Sequence, residues 1–119
     1  MTDRELLEAA AKAAGMDYLI WTTGAAPCVP REHRIGDRIC WHPLTDDGDA
    51  LRLAVKLGLH ARQFPVLDDG FDAPLGIVKV WRVDDDSLHV EFLRSGDDLL
   101  VATRRAIVRA AAIIGREME

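Results

Sequence analysis

The sequence predicts an α+β fold in which three helices pack on a small, mainly antiparallel β-sheet. An apolar repeat at helical spacing occurs three times along the 119 residues, and an alternating pattern typical of a β-hairpin precedes the third repeat. Strand-like segments come in pairs between the helices, without the regular strand–helix–strand alternation of a parallel sheet. The length favours a single domain over residues 1–119.

The first predicted helix carries signals for both of its ends. Thr2 and Glu5 have the spacing of a capping box, in which the hydroxyl and the carboxylate each take up a free backbone N–H. Leu6 and Leu7 begin an apolar stripe at helical spacing. Gly15 suits the left-handed position that follows a helix, so the helix is predicted to stop there.

Two short strands are predicted between the first and second helices. Residues 18–22 and 38–41 are rich in aromatic and β-branched side chains, which favour extended backbone. The segment 24–36 between them holds two prolines and two glycines and is predicted to be a loop. Pro43 ends the second strand.

The second helix is predicted to begin at the N-cap Thr45 and to end at Gly58. Apolar side chains, among them Leu51 and Val55, occupy most of its circumference. We therefore expect the fold to envelop most of this helix. The remaining polar strip is narrow and consists of Asp49, Arg52 and Lys56.

A strand at 60–67 and a hairpin of strands 77–83 and 88–93 complete the predicted sheet. Pro65 places the first of these strands at an edge, because proline cannot donate to a strand ladder. The hairpin turn is predicted at 84–87. The alternation in the last strand predicts that Leu88, Val90 and Phe92 face the core, while His89 and Glu91 point to the other face, which is at least partly solvated.

The last helix is predicted to start near Asp98 and to place an arginine row opposite its apolar stripe. The row, Arg105, Arg109 and Arg116, is a candidate binding surface, although such rows are usually the solvated side of a helix. The net charge is 15 − 20, or −5. Because nucleic-acid binders usually carry a basic excess, association with nucleic acid through this helix is only an alternative function.

Four residues form the one metal-like cluster in the sequence: Cys28, His33, Cys40 and His42. Two thiolates and two imidazoles suit tetrahedral zinc. The closely spaced cysteine pair of familiar zinc frameworks is missing, so we expect neither metal nor cofactor and keep a small zinc protein as an alternative.

The sequence start lacks the pattern of an export signal, which predicts a cytoplasmic location and reduced thiols.

No catalytic constellation stands out, so we expect a protein that is not an enzyme. A Cys–His nucleophile pair would need a base and an oxyanion donor that no motif supplies. Trp21 and Trp41, in the strands that flank the loop 24–36, are further candidate binding residues, because tryptophan is common at interfaces. No apolar run approaches the roughly 20 residues that span a bilayer, so no membrane partner is expected.

Two stretches resemble small phage and prophage proteins. WHPLTDDGDA at 41–50, with the helix that follows it, resembles their Trp-Asn-Pro-leading helix, and ATRRAIVRAA at 102–111 resembles their closing helix. His42 stands where that pattern has asparagine. The helix–strand–helix order is similar to that of the phage α–β sandwich domain family. This resemblance implies a helix-covered antiparallel sheet and a phage origin, and it brings no catalytic residues.

From this resemblance and the lack of a catalytic motif, we expect a small soluble phage or prophage accessory protein that acts by protein–protein contact. Its partner would be a host or phage protein. The sequence is silent on self-association.

Overall fold

A computed structural model of the chain describes residues 2–16, 18–21, 27–29, 40–65, 76–82, 85–93 and 98–118. Over these residues the chain forms three helices and one three-stranded antiparallel sheet of order β1-β2-β3, which confirms the predicted α+β fold. The elements are α1 (Asp3–Ala13), α2 (Asp47–Leu57), β1 (Leu59–Pro65), β2 (Gly76–Arg82), β3 (Asp85–Leu93) and α3 (Leu99–Glu117).

The ends of α1 are those predicted from the sequence. The Thr2 hydroxyl accepts the backbone N–H of Glu5 at 3.2 Å, as a capping box requires. Gly15 has φ of 88°, a left-handed conformation that glycine adopts without steric cost. Leu6 and Leu7 are buried, so the predicted apolar stripe is the buried side of α1.

The start of α2 differs from the prediction by one residue. The N-cap is Asp46, whose carboxylate accepts the backbone N–H of Asp49 at 2.7 Å. Thr45 lies instead in the preceding turn, where its N–H donates to the carbonyl of His42 at 3.1 Å. Gly58 ends the helix with φ of 67°, as predicted.

The hairpin is tighter than predicted. β3 begins at Asp85, which pairs with Arg82, so the predicted turn at 84–87 is wrong and two residues separate the strands. An irregularity in the register at Trp81 and Arg82 accommodates the extra residues of β3. β1 is an edge strand, in agreement with the prediction, and it runs over Leu59–Pro65; residues 66 and 67 of the predicted strand lie outside the described residues.

The predicted orientation of β3 is also wrong. Val78 and Val80 of β2 are almost fully buried on the side of the sheet that α3 covers. Val80 lies opposite His89 in the register, and directly opposite residues of an antiparallel pair share a face. His89 therefore lies on the helix-covered face, and Val90, opposite Lys79, lies on the other.

A hydrogen bond supports this assignment of the faces. Gln63 lies opposite Val78 in the register, and its side chain donates to the Thr103 hydroxyl of α3 at 3.2 Å. The buried valines of the central strand decide which face is inside, because they fit beneath α3. The hydropathy of β3 alone does not contain that information.

The core centres on α3, which packs against α1, the sheet and α2. Small residues fill most of its buried positions, and a Cβ at Gly115 would overlap the carbonyl oxygen of Ala9 in α1. Leu100 near its start and Met118 just after its end are exposed. The buried residues of α3 are Ala102, Ala106, Ile107, Val108, Ala110, Ala111, Ala112 and Gly115.

The two strands predicted between α1 and α2 are represented by isolated bridges over the described residues. Ile20 pairs with Cys28, and Cys28 pairs with Cys40, both antiparallel. These bridges bring together the cysteines, which lie twelve positions apart in the sequence. Among the helices of the described ranges, none combines the length and the apolar character needed to cross a bilayer.

Candidate functional site

A groove of about 460 Å³ lies beside α2. The three residues that follow α1 form one part of its lining, and Cys40 and Trp41 form another. The third part comes from α2. The residues that line the groove are Ala14, Gly15, Met16, Cys40, Trp41, Asp49, Leu51, Arg52, Leu53, Val55 and Lys56.

The α2 side of the groove exposes two large apolar side chains. Leu51 is 64% exposed and Val55 is 72% exposed, one helical turn apart. The prediction that the fold envelops α2 is therefore wrong. The helix packs on α3 and β1 through the side that contains Ala50, Leu53 and Ala54, which leaves Leu51 and Val55 exposed.

Asp49 is buried and holds part of the groove lining in place. The predicted polar strip implied that its side chain would face solvent. It is 4% exposed, and its carboxylate accepts the backbone N–H of His42 at 3.0 Å. Its other oxygen accepts Arg52 Nη2 at 2.8 Å. These bonds hold the segment of Trp41 and His42 against the start of α2, since a buried carboxylate is stable only when it is hydrogen-bonded and paired.

The charges on the groove lining are mainly basic. Arg52 and Lys56 contribute two cations against the single carboxylate of Asp49, so the lining carries 2 − 1, or +1, in a chain of net charge −5. Arg52 is already engaged by Asp49 and, at 3.6 Å, by Asp46. The exposed Lys56 ammonium is therefore the cation that a ligand in the groove would meet most directly.

The two predicted tryptophans do not form one surface. Trp41 is buried and lines the groove. Trp21 is half-buried and lies under the Arg4 guanidinium, with 4.6 Å between the guanidinium carbon and the ring centroid. Most of the loop that was expected beside them, 24–36, lies outside the described residues.

The arginine row of α3 lies along the neighbouring elements rather than on a free face. Arg109 and Arg116 line a separate cleft of about 240 Å³ together with Leu6 of α1 and His89 of β3. Arg105 pairs with Asp3 of α1 at 3.4 Å. The row and the groove are thus two different places on the molecule.

The structure describes three of the four predicted zinc ligands, namely Cys28, Cys40 and His42. Cys28 and Cys40 are free thiols that lie opposite each other. Nδ1 of the half-buried His42 has no hydrogen-bond partner among these residues. His33 lies outside them, and no group of three or more His, Cys, Asp or Glu that could hold a metal occurs within them. A four-ligand zinc site therefore stays a prediction.

Sequence reasoning missed the exposed pair of Leu51 and Val55 as a functional candidate. A signal was present in the sequence, because a short helix with apolar residues on most of its sides can bury only some of them against one small core.

Comparison with known proteins found no matching family model, no similar curated protein and no similar solved structure.

Proposed function

We propose that this protein is a protein-interaction module whose docking site is the groove beside α2. The observation that carries the proposal is the exposure of Leu51 and Val55 on the rim of a groove that Trp41 also lines. Single exposed apolar residues are ordinary, but an adjacent pair that borders an apolar groove is typical of an interaction surface. Burial of this pair by a partner would release water from it.

The proposed occupant is an amphipathic helix of another protein with acidic residues beside its apolar stripe. A groove next to a helix suits apolar anchors spaced three and four residues apart. Lys56 and Arg52 on the lining favour carboxylates at the edge of that stripe. Two copies of this chain would instead bring these cations towards each other in a symmetric contact that centres on the groove.

The resemblance to phage α–β sandwich proteins supports a phage or prophage origin for the module, and hence a partner from the phage or its bacterial host. We propose that it acts in the cytoplasm, by binding rather than by catalysis. The groove lining suits binding, since it pairs apolar side chains with few charges and its buried carboxylate is already engaged by Arg52.

The test is a selection from a random-peptide library against the immobilised full chain. The expected peptides carry apolar residues at helical spacing and a net negative charge. A synthesised peptide of this kind should bind the wild-type protein in solution. Its affinity should fall at least about tenfold for the Leu51→Asp, Val55→Asp variant, because the change removes the apolar anchors and repels the acidic flank.

Leu100→Asp is the matched control, since Leu100 is 57% exposed on α3 and lies away from the groove lining. It should leave the affinity within about twofold. Enrichment of basic peptides, or affinity that is insensitive to the double substitution, would overturn the proposal. So would a wild-type dimer, measured by light scattering, that the double substitution dissociates, because the groove would then belong to a second copy.

A further inference from the structure

Cys28 sits between two partner segments in a small antiparallel arrangement. On one side it exchanges two backbone hydrogen bonds with Ile20, with N···O distances of 2.9 and 2.7 Å. On the other side it lies opposite Cys40. Directly opposite residues share a face, so the two cysteine side chains project from the same side of this arrangement.

The hydrogen bond next to the cysteines identifies the kind of pair that they form. The N–H of Trp41, the residue after Cys40, donates to the carbonyl of Pro27, the residue before Cys28, at 3.0 Å. Cys28 and Cys40 are therefore a non-hydrogen-bonded pair, in which the Cα atoms approach to about 4.5 Å. That separation lies within the range of about 4.4 to 6.8 Å that a disulfide spans.

The face that carries the cysteines is the accessible one. Cys40 is exposed, Cys28 is half-buried, and Ile20 beside them is 41% exposed. The residues that alternate with them point to the core and are buried, namely Leu19, Pro27, Val29 and Trp41. A small oxidant in solution can therefore reach the thiol of Cys40.

We propose that Cys28 and Cys40 form a redox-sensitive dithiol site that a glutathione-type disulfide converts to an intramolecular disulfide. The Cys40 thiolate attacks the oxidant, forms a mixed disulfide and releases one glutathione thiol. The Cys28 thiolate then attacks the Cys40 sulfur, which forms the Cys28–Cys40 bond and releases the second glutathione thiol. The protein loses two protons and two electrons, and the oxidant takes up both.

Cys40 also lines the proposed docking groove, but the inference does not rest on the docking function, because it rests on the register of the two cysteines and not on a partner. The fold brings the thiols together before any oxidant arrives. The folded chain should therefore form the disulfide with an equilibrium constant at least about tenfold larger than the chain in denaturant, where the same thiols meet only by loop closure.

The test equilibrates the full chain in glutathione buffers of graded ratio, in native buffer and in denaturant, and reads the products by intact mass after acid quench. The expected native product has lost two hydrogen atoms, carries no glutathione and resists alkylation. Cys28→Ser should instead retain one glutathione on Cys40, because the resolving thiol is missing. Cys40→Ser should react more slowly, since its remaining thiol is half-buried.

Three results would overturn the proposal of a redox-sensitive dithiol site. They are accumulation of wild-type protein with two bound glutathiones, predominance of disulfide-linked dimers, and an equal equilibrium constant in native buffer and in denaturant. All three results are measured on the wild-type protein, so the test of the proposal does not depend on the folding of a serine variant.

Discussion

At Gly115 the backbones of α1 and α3 come so close that no side chain fits between them. A Cβ there would overlap the carbonyl oxygen of Ala9 and lie 3.3 Å from the backbone nitrogen of Ala13. Both contacts are to backbone, which cannot rotate away as a side-chain end can. In an exposed helix a glycine costs stability relative to alanine, so its occurrence here reflects packing and not helix propensity.

Gly115→Ala is therefore expected to destabilise the protein by about 3 kcal/mol, because α1 and α3 must move apart to accept the methyl group. A thermal or urea unfolding curve measures the loss. Gly48→Ala in α2 is the matched control. Its Cβ would meet only side-chain ends, Arg52 Nη2 at 2.9 Å and Asp46 Oδ2 at 3.2 Å, and both side chains are about half exposed and can shift, so the free energy of unfolding should change by less than about 1 kcal/mol. Equal losses for the two variants would contradict this account.

Between elements, Arg104 connects α3 to the turn that leads into α2. Its Nε donates to the carbonyl of Leu44 at 2.9 Å, and its Nη1 pairs with Asp47 in the first turn of α2. The Arg104 side chain is only 15% exposed and its bond to the Leu44 carbonyl is partly buried, whereas its partner Asp47 is 65% exposed. The neighbouring Arg105 makes a longer contact with the exposed Asp3. Two adjacent arginines thus have different structural roles.

Arg104→Met is expected to lower the free energy of unfolding by about 2 kcal/mol, since it leaves the Leu44 carbonyl and Asp47 without their charged donor. Arg105→Met should cost less than about 0.5 kcal/mol, the usual range for an exposed ion pair. Chemical denaturation of both variants measures the difference. A larger loss for Arg105→Met than for Arg104→Met would contradict the assignment.

For the molecule as a whole, α3 covers one face of the sheet, and it is the element that the other helices and the strands share. It contacts α1 on one side and all three strands on another. α2 packs through one side only and leaves Leu51 and Val55 exposed. Local stability should follow this difference, because segments with fewer buried apolar contacts open at lower free energy.

Native-state hydrogen exchange should therefore show the slowest amides in the middle of α3, around Ala106–Ala112. Amides of α2 should exchange at least about tenfold faster, because α2 can open without separating α1 from α3. Mass spectrometry of peptides from the two helices measures the rates. Protection of α2 equal to that of α3 would show that the two helices open together.

Helix ends and the existence of most elements were predictable from the sequence. Thr2 caps α1 and Gly58 ends α2, because each acts on backbone within a few residues of itself. Pro65 indicates an edge strand, because proline cannot donate to a strand ladder. The predicted N-cap of α2 lies one residue before the observed one, since Thr45 and Asp46 are both competent caps. The two-residue connection of the hairpin was not predictable, because it depends on the register at Arg82 and Asp85.

The candidate site was predictable only in part. Trp41 and Cys40 were selected from the sequence, and both line the groove. The exposed pair on α2 was assigned to the core, because a helix with several apolar sides does not reveal which side its neighbours cover. Asp49 was assigned to the surface for a similar reason, since only the approach of His42 makes its burial favourable.

By itself, the sequence determined the α+β class, the three helices with most of their end signals, and the antiparallel hairpin. These features rest on periodicity and on capping chemistry, which act between neighbours along the chain. Only the tertiary structure decided which face of the sheet is covered, which side of α2 is exposed, and that Cys28 lies opposite Cys40. Each of these depends on strand register or on helix packing between distant residues, and both are set by the mutual fit of the folded elements.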